Sequence, residues 1–229
     1  MTPAVVRIVP ALWRAMNMNR QKCATPLILL TLVSVLLLAG CSALQAPQVE
    51  NPHIYTLDAR PALPARQTAG HLVLLVSMPR ARPGFDTPQM AYLRQPHELN
   101  YFAVNRWADA PSHMLWPLLA QALEQTGNFR AVVQTPGPVS VHMRLDTELV
   151  RLQQDFGTQP SRLQFTVHAQ LIDVIAKRVV AAKLFDESED APSDDAYGGV
   201  IAANRVAQRL LDQLADFCIS ESAGRRTSP

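Results

Sequence analysis

Residue patterns that support catalysis or metal binding are missing from this chain of 229 residues. No serine lies in a nucleophile elbow, no glycine-rich phosphate loop occurs, and no close pair of carboxylates has the signature of a pocket. The six histidines form no HxxxH pair and lie beside no second cysteine, so we expect no zinc site. An enzyme is therefore the weakest of the functional hypotheses, and we predict a non-enzymatic protein without a metal or a catalytic cofactor.

The apolar run near the N-terminus is too short for a comfortable bilayer span. It covers residues 27–38, whereas a spanning helix needs roughly 20 residues. Arg20 and Lys22 place positive charge before this run, and the small residues Ala39 and Gly40 follow it. A charged segment, a short apolar run and a small-residue cleavage site together describe an export signal.

A cysteine comes directly after these small residues. The motif Leu38-Ala39-Gly40-Cys41 resembles the lipobox of bacterial lipoproteins. This resemblance implies a signal peptide over residues 1–40, cleavage between Gly40 and Cys41, a diacylglycerol on the Cys41 thiol and an N-acyl lipid on its amino group. Ser42, where an Asp tends to retain lipoproteins in the inner membrane, resembles the outer-membrane pattern. An uncleaved anchor and an ordinary secreted protein are the alternatives.

Cysteine is too scarce for a disulfide framework. Cys23 leaves with the signal peptide and Cys41 carries lipid, so Cys218 remains without an intramolecular partner. Residues 1–40 contain four cations and no acid, so their removal changes the net charge from +2 to −2. The mature chain therefore lacks the basic surface of a nucleic-acid-binding protein, and we expect no nucleic-acid partner.

The mature chain divides into a tether, one domain and a tail. Residues 41–52 contain two prolines and little apolar periodicity, which is typical of a flexible tether. Residues 53–218 form the predicted domain, and residues 219–229 are predicted to be a disordered tail.

Apolar periodicity predicts a sheet and two helices. Alternation over residues 139–149 and 163–171, followed by a strand over 179–185, predicts an antiparallel meander. Helices from about 111 to 126 and from about 195 to 217 each carry one apolar stripe. The expected fold is a two-layer α+β sandwich, in which two helices pack on one face of a largely antiparallel sheet. Further strands are expected over residues 54–58, 71–78, 89–94, 98–107 and 129–133.

Several short motifs occur in an order that resembles a known family. They are Tyr55-Thr56-Leu57-Asp58, Val76-Ser77-Met78-Pro79, Met90-Ala91-Tyr92-Leu93-Arg94, and the stretch over residues 99–111 that contains Asn105-Arg106-Trp107-Ala108. The pattern resembles the ABC-type transport auxiliary lipoprotein family, which includes the PqiC-like lipoproteins. The resemblance covers nearly all of residues 53–218.

The resemblance implies a function and a set of partners. Members of this family accompany transport systems in which an MCE-domain protein and ABC transporter components move phospholipids or other apolar molecules between the inner and outer membranes. The resemblance implies no enzymatic activity. Together with the lipobox and Ser42 it leads us to expect a lipid-anchored protein on the periplasmic face of the outer membrane. A role as the exit vestibule of the transporter favours self-assembly into a homo-oligomeric ring. The alternatives are an envelope scaffold or activator of the cell-wall synthase type, and a carrier that holds an apolar ligand itself.

Two groups of residues are candidates for a site. Arg106, Trp107 and Tyr101 are candidate partner contacts, although large aromatic residues more often serve core packing. Six acids lie within ten residues, and a solvated turn is the expected structure, with a cation site as the alternative. These acids are Asp186, Glu187, Glu189, Asp190, Asp194 and Asp195.

Overall fold

Nine strands and two helices follow one another along the described part of the chain. The computed structural model describes residues 51–60, 70–135, 137 and 140–223. The elements are β1 (His53–Tyr55), β2 (Val73–Val76), β3 (Arg80–Ala81), β4 (Gln89–Leu93), β5 (Leu99–Trp107), α1 (Pro111–Gln125), β6 (Ala131–Val133), β7 (Met143–Asp155), β8 (Arg162–Asp173), β9 (Arg178–Asp190) and α2 (Ala196–Ala223).

The predicted signal peptide, Gly40 and Cys41 lie outside the described residues. Of the predicted tether, only residues 51 and 52 are described, and both are exposed. The lipid anchor therefore stays a prediction from sequence.

Strand β7 is the centre of one mixed sheet. On one edge it pairs antiparallel with β8 over its whole length, and β9 pairs antiparallel with β8 on the outside. On its other edge β7 pairs in succession with β2, β3 and β4, each of them parallel to it. β5 is antiparallel to β4, β1 is parallel to β5, and β6 is parallel to β2. The predicted α+β class and the antiparallel meander β7–β8–β9 are confirmed. The shorter strands β2, β3 and β4 add parallel pairs to the sheet.

Both helices bury one stripe against the same core. Leu115, Leu119 and Leu123 recur at the spacing of one helical face in α1, and Leu210 and Leu214 do so in α2. They pack with the inward-facing side chains of β7 and β8, which alternate along each strand with less buried ones. Every buried residue of this core lies between residues 57 and 218. Residues 51–229 also form one compact unit with its own core, which is the property of a domain that folds independently.

The C-terminal helix is longer than the sequence predicted. α2 continues to Ala223, and Ile219 and Ser222 within its last turns are buried. The predicted disordered tail over 219–229 is therefore wrong for residues 219–223. Ile219 extends the apolar stripe of α2 by one more turn. The polar neighbours Ser220, Glu221 and Ser222 made this extension hard to predict from the sequence. Neither described helix is long and apolar enough to cross a membrane.

Candidate interaction surfaces

The three candidate contacts on β5 do not form one surface. Trp107 ends the strand inside the core, with its backbone N–H donating to the Pro88 carbonyl at 2.7 Å. Tyr101 is half-buried, and its hydroxyl donates to the carbonyl of Gly84 at 2.9 Å. This bond closes the loop that precedes β4. Arg106 is exposed and forms no ion pair with any residue that the structure describes. Trp107 and Tyr101 thus hold the fold, while Arg106 stays available to a partner.

The core contains a small void beside Trp107. Its volume is about 10 Å³, which is the space of one water molecule. An acyl chain does not fit in such a space. The void is lined by Met90, Ala91, Phe102, Trp107, Leu152, Gln153, Gln154, Leu163 and Gly199.

A β-bulge and a glycine shape the wall of this void. The pairing of β7 shifts between Leu149 and Arg151, so Gln154 and Leu163 form a pair beneath the start of α2. The Gln154 amide donates to the Ser161 hydroxyl at 2.8 Å and to the Asp195 carbonyl at 3.1 Å. A Cβ at Gly199 would lie 2.3 Å from the amide oxygen of Gln154. A side chain at position 199 would therefore displace the Gln154 amide from its two hydrogen bonds, so this glycine has a structural role.

The acidic segment is a paired strand and a helix cap. Residues 186–190 belong to β9, and arginines from β7, β8 and α2 pair with them. The predicted solvated turn is therefore wrong for this part of the segment. The closest atoms are 2.9 Å apart for Arg151–Asp186, 2.7 Å for Arg162–Asp190, 3.1 Å for Arg205–Glu189 and 3.4 Å for Arg209–Glu187.

The last two acids of the segment satisfy backbone groups. Asp194 accepts the N–H of Ser161 at 2.6 Å, and Asp195 accepts the N–H of Gly198 at 2.7 Å in the first turn of α2. An aspartate before a helix satisfies one of the free amides there. Within the described residues, no group of three or more His, Cys, Asp or Glu has the arrangement of a metal site. The segment therefore binds this protein's own helix and strands.

Acid weakens this network, because it acts on carboxylates whose pKa values lie below normal. The Thr166 hydroxyl and then Arg151 lower the pKa of Asp186. Burial opposes the shift at Glu189, but hydrogen bonds from Arg209 and Arg205 lower its pKa overall. Carboxylates with a lowered folded pKa stabilise the protein above the unfolded pKa of about 4 and lose this contribution as the pH falls through the folded value. We expect the melting temperature to fall steadily below about pH 4.

The matched variant for this pH series is Arg209→Gln, measured by thermal unfolding from pH 7 to pH 2. It removes one of the two cations that lower the pKa of Glu189, so its melting temperature starts lower at pH 7 and falls less with acid. Parallel curves for the two proteins would show that the Arg209 pairs do not contribute to acid sensitivity.

An apolar, cationic turn projects between β8 and β9. We call residues 174–179 the hairpin tip. Ile175 is 64% exposed, Val179 52% and Val174 37%. The backbone is held in place, because the Asp173 carboxylate accepts the N–H of Ala176 at 2.8 Å and Val174 donates to the His142 carbonyl at 3.0 Å. Sequence reasoning missed this surface, although aliphatic residues at the centre of a turn, where glycine and asparagine are usual, were a visible signal.

An open groove lies between β9 and the last turns of α2. Its volume is about 810 Å³, and Phe217 and Ile219 form part of its floor. Lys183, Asp216 and Glu221 place charges of both signs around it. β9 is an edge strand among the described strands, since β8 is the one that pairs with it. The groove and the hairpin tip therefore adjoin one another on the same edge of the sheet.

Comparison with solved structures identifies the fold. A protein of Xanthomonas campestris, XCC0632, matches with a TM-score of 0.68 and 21% identity, over 76% of this chain and 99% of that chain. A second solved structure, of an uncharacterised protein, matches with a TM-score of 0.58 and 13% identity, over 76% of this chain and all of that chain. At these identities the matches support a shared fold alone. None of the curated proteins compared with this chain matches it.

Comparison with family models identifies the family. The model of the ABC-type transport auxiliary lipoprotein component matches residues 55–215, from β1 to the second half of α2. This range includes β5 with Arg106 and Trp107, the meander and most of the core. The chain belongs to the family of ABC-type transport auxiliary lipoprotein components.

Proposed function

We propose that this protein is a non-enzymatic, membrane-anchored auxiliary subunit of an ABC/MCE-type envelope transport system. The observation that carries this proposal is a lipobox at Cys41, placed directly before a short tether and a domain of the transport auxiliary family. The system moves phospholipids or other apolar molecules between the inner and outer membranes. The protein is an accessory to the transporter, and its family is one of transport components.

The proposed anchor keeps the domain at a membrane surface. One acyl chain binds a bilayer only marginally, whereas two or more chains hold stably, at about 0.8 kcal/mol per buried CH₂. The lipids on Cys41 therefore hold the chain to the periplasmic face of the outer membrane, the location that Ser42 favours. Residues 41–52 can span up to about 40 Å when extended, which lets the domain reach a partner.

The domain acts by contact with other proteins. The void of about 10 Å³ in the core has no room for an acyl chain, so we place the action of the domain at its surfaces. The exposed Arg106 and the groove are the surfaces through which copies of the chain form a ring and dock onto the MCE-domain protein. In that position the protein holds its partner in place or forms the exit vestibule of the transporter.

Chemical cross-linking in intact cells tests this function. A C-terminally tagged protein is cross-linked, captured from detergent-solubilised envelopes and identified by mass spectrometry. We expect an MCE-domain protein and an ABC permease or ATPase to be enriched over a tagged, unrelated outer-membrane lipoprotein. Enrichment of a cell-wall synthase without either transport component would overturn the proposal.

A further inference from the structure

The hairpin tip has the composition of a membrane-contacting element. Its three exposed aliphatic side chains lie within six residues, on a turn whose backbone is held by Asp173 and His142. Transfer of exposed aliphatic side chains from water into a less polar phase lowers the free energy. Exposed patches of this kind mark surfaces that bind a partner or a membrane.

The charges around the tip identify the partner. Lys177 and Arg178 lie directly between Ile175 and Val179, and the nearby acid Asp173 is fully buried and bound to the turn. The exposed ionisable groups of the tip are therefore both cations. Apolar side chains flanked by Lys and Arg fit a bilayer interface, where the cations meet anionic headgroups. We propose that the hairpin tip binds the surface of a bilayer that contains anionic phospholipids.

The tip and β1, the first described strand after the proposed tether, lie at different ends of the sheet. Asp173, next to the tip, pairs with Met143 at the start of β7. β1 is connected to β7 through β5 and β4, and β4 pairs with Gln153 near the end of β7. These two levels are about 33 Å apart along the strand. The tip is therefore a second attachment, separate from Cys41. With both engaged, the domain lies along the lipid surface in one orientation and no longer turns freely on its tether.

Vesicle binding by residues 51–229, which lack the lipidation site, tests this inference. The protein is sedimented with vesicles of phosphatidylcholine alone or with one quarter phosphatidylglycerol. We expect binding to the anionic vesicles that weakens as salt is raised, and binding to the neutral vesicles that is at least about tenfold weaker. The double variant Lys177→Glu/Arg178→Glu should lower the affinity for the anionic vesicles by about thirtyfold or more.

A matched pair of variants distinguishes vesicle binding through the tip from nonspecific binding by any exposed apolar side chain. Ile175 and Ile54 are both exposed, at 64% and 61%, and Ile54 lies on β1 away from the tip. Ile175→Asp should reduce binding to anionic vesicles about tenfold or more, while Ile54→Asp should stay within about twofold of the parent. Unchanged melting temperatures show that both variants are folded.

Three results would overturn the inference. They are no binding of residues 51–229 to anionic vesicles at low salt, equal losses in the two isoleucine variants, or loss of the cross-linked protein partner in Ile175→Asp without any change in vesicle binding. The last result would assign the tip to a protein surface. The inference is independent of the proposed transport function, because vesicles without any protein partner test it.

Discussion

Replacing Leu210 by aspartate unfolds the domain. Leu210 is fully buried in the middle of α2, where it packs in the core with the inward-facing residues of the sheet. Removing a buried leucine side chain alone costs about 2–5 kcal/mol, and a carboxylate in its place adds several kcal/mol for burial of a polar group without a partner. Domains of this size are stable by only about 5–15 kcal/mol, so this one change removes most or all of the stability.

The control for this variant makes the same substitution at a leucine on the surface. Leu184 lies on the outer face of β9 and is 55% exposed, so Leu184→Asp should change the free energy of unfolding by less than about 0.5 kcal/mol. Urea unfolding of residues 51–229, followed by circular dichroism, measures both. A cooperative transition of Leu210→Asp within 1 kcal/mol of the parent would refute the assignment of α2 to the core.

We expect the replacement of Cys41 by serine to abolish the proposed lipidation. The proposed diacylglycerol is attached through a thioether, and a serine hydroxyl cannot form that bond. We expect no incorporation of labelled palmitate and a precursor that keeps residues 1–40, visible as a band of higher mass. A labelled product of mature size from Cys41→Ser would contradict the anchor assignment.

Cys218 is the matched control for the labelling experiment. Its side chain is fully buried, and burial raises the pKa of its thiol to about 12, so the reactive thiolate is scarce. Cys218→Ala should therefore leave palmitate labelling unchanged. Loss of the label in Cys218→Ala, with normal amounts of protein, would indicate that Cys218 carries the lipid and would contradict the assignment to Cys41.

The acidic segment shows how a local pattern misleads. Six acids in ten residues are typical of a solvated turn, and nothing within that window indicates a strand. The side chains that stabilise it lie far away in the sequence, on Arg151 and Arg162 before it and on Arg205 and Arg209 after it. Charge compensation across strands and a helix thus lets β9 continue to Asp190, five residues beyond the predicted end of the strand.

Structural features that depend on neighbours along the chain were predictable from the amino-acid sequence. Alternation in β7 and β8 marks which residues face the core, because side chains of a strand point to opposite faces in turn. The stripes of α1 and α2 and the family were predictable for the same reason, since each depends on patterns within short segments. The lipobox is a pattern of the same kind and stays a prediction.

The pairing of the strands and their register were not predictable from the sequence and are seen in the folded protein. β2, β3 and β4 join one edge of β7 in parallel, and the bulge after Leu149 brings Gln154 beneath Gly199. The cationic hairpin tip likewise depends on Val174 donating to the His142 carbonyl across the sheet and on Asp173 accepting the N–H of Ala176. Periodicity states which face a side chain takes but not which strand lies beside it, because pairing depends on residues that are distant in sequence and meet only in the folded protein.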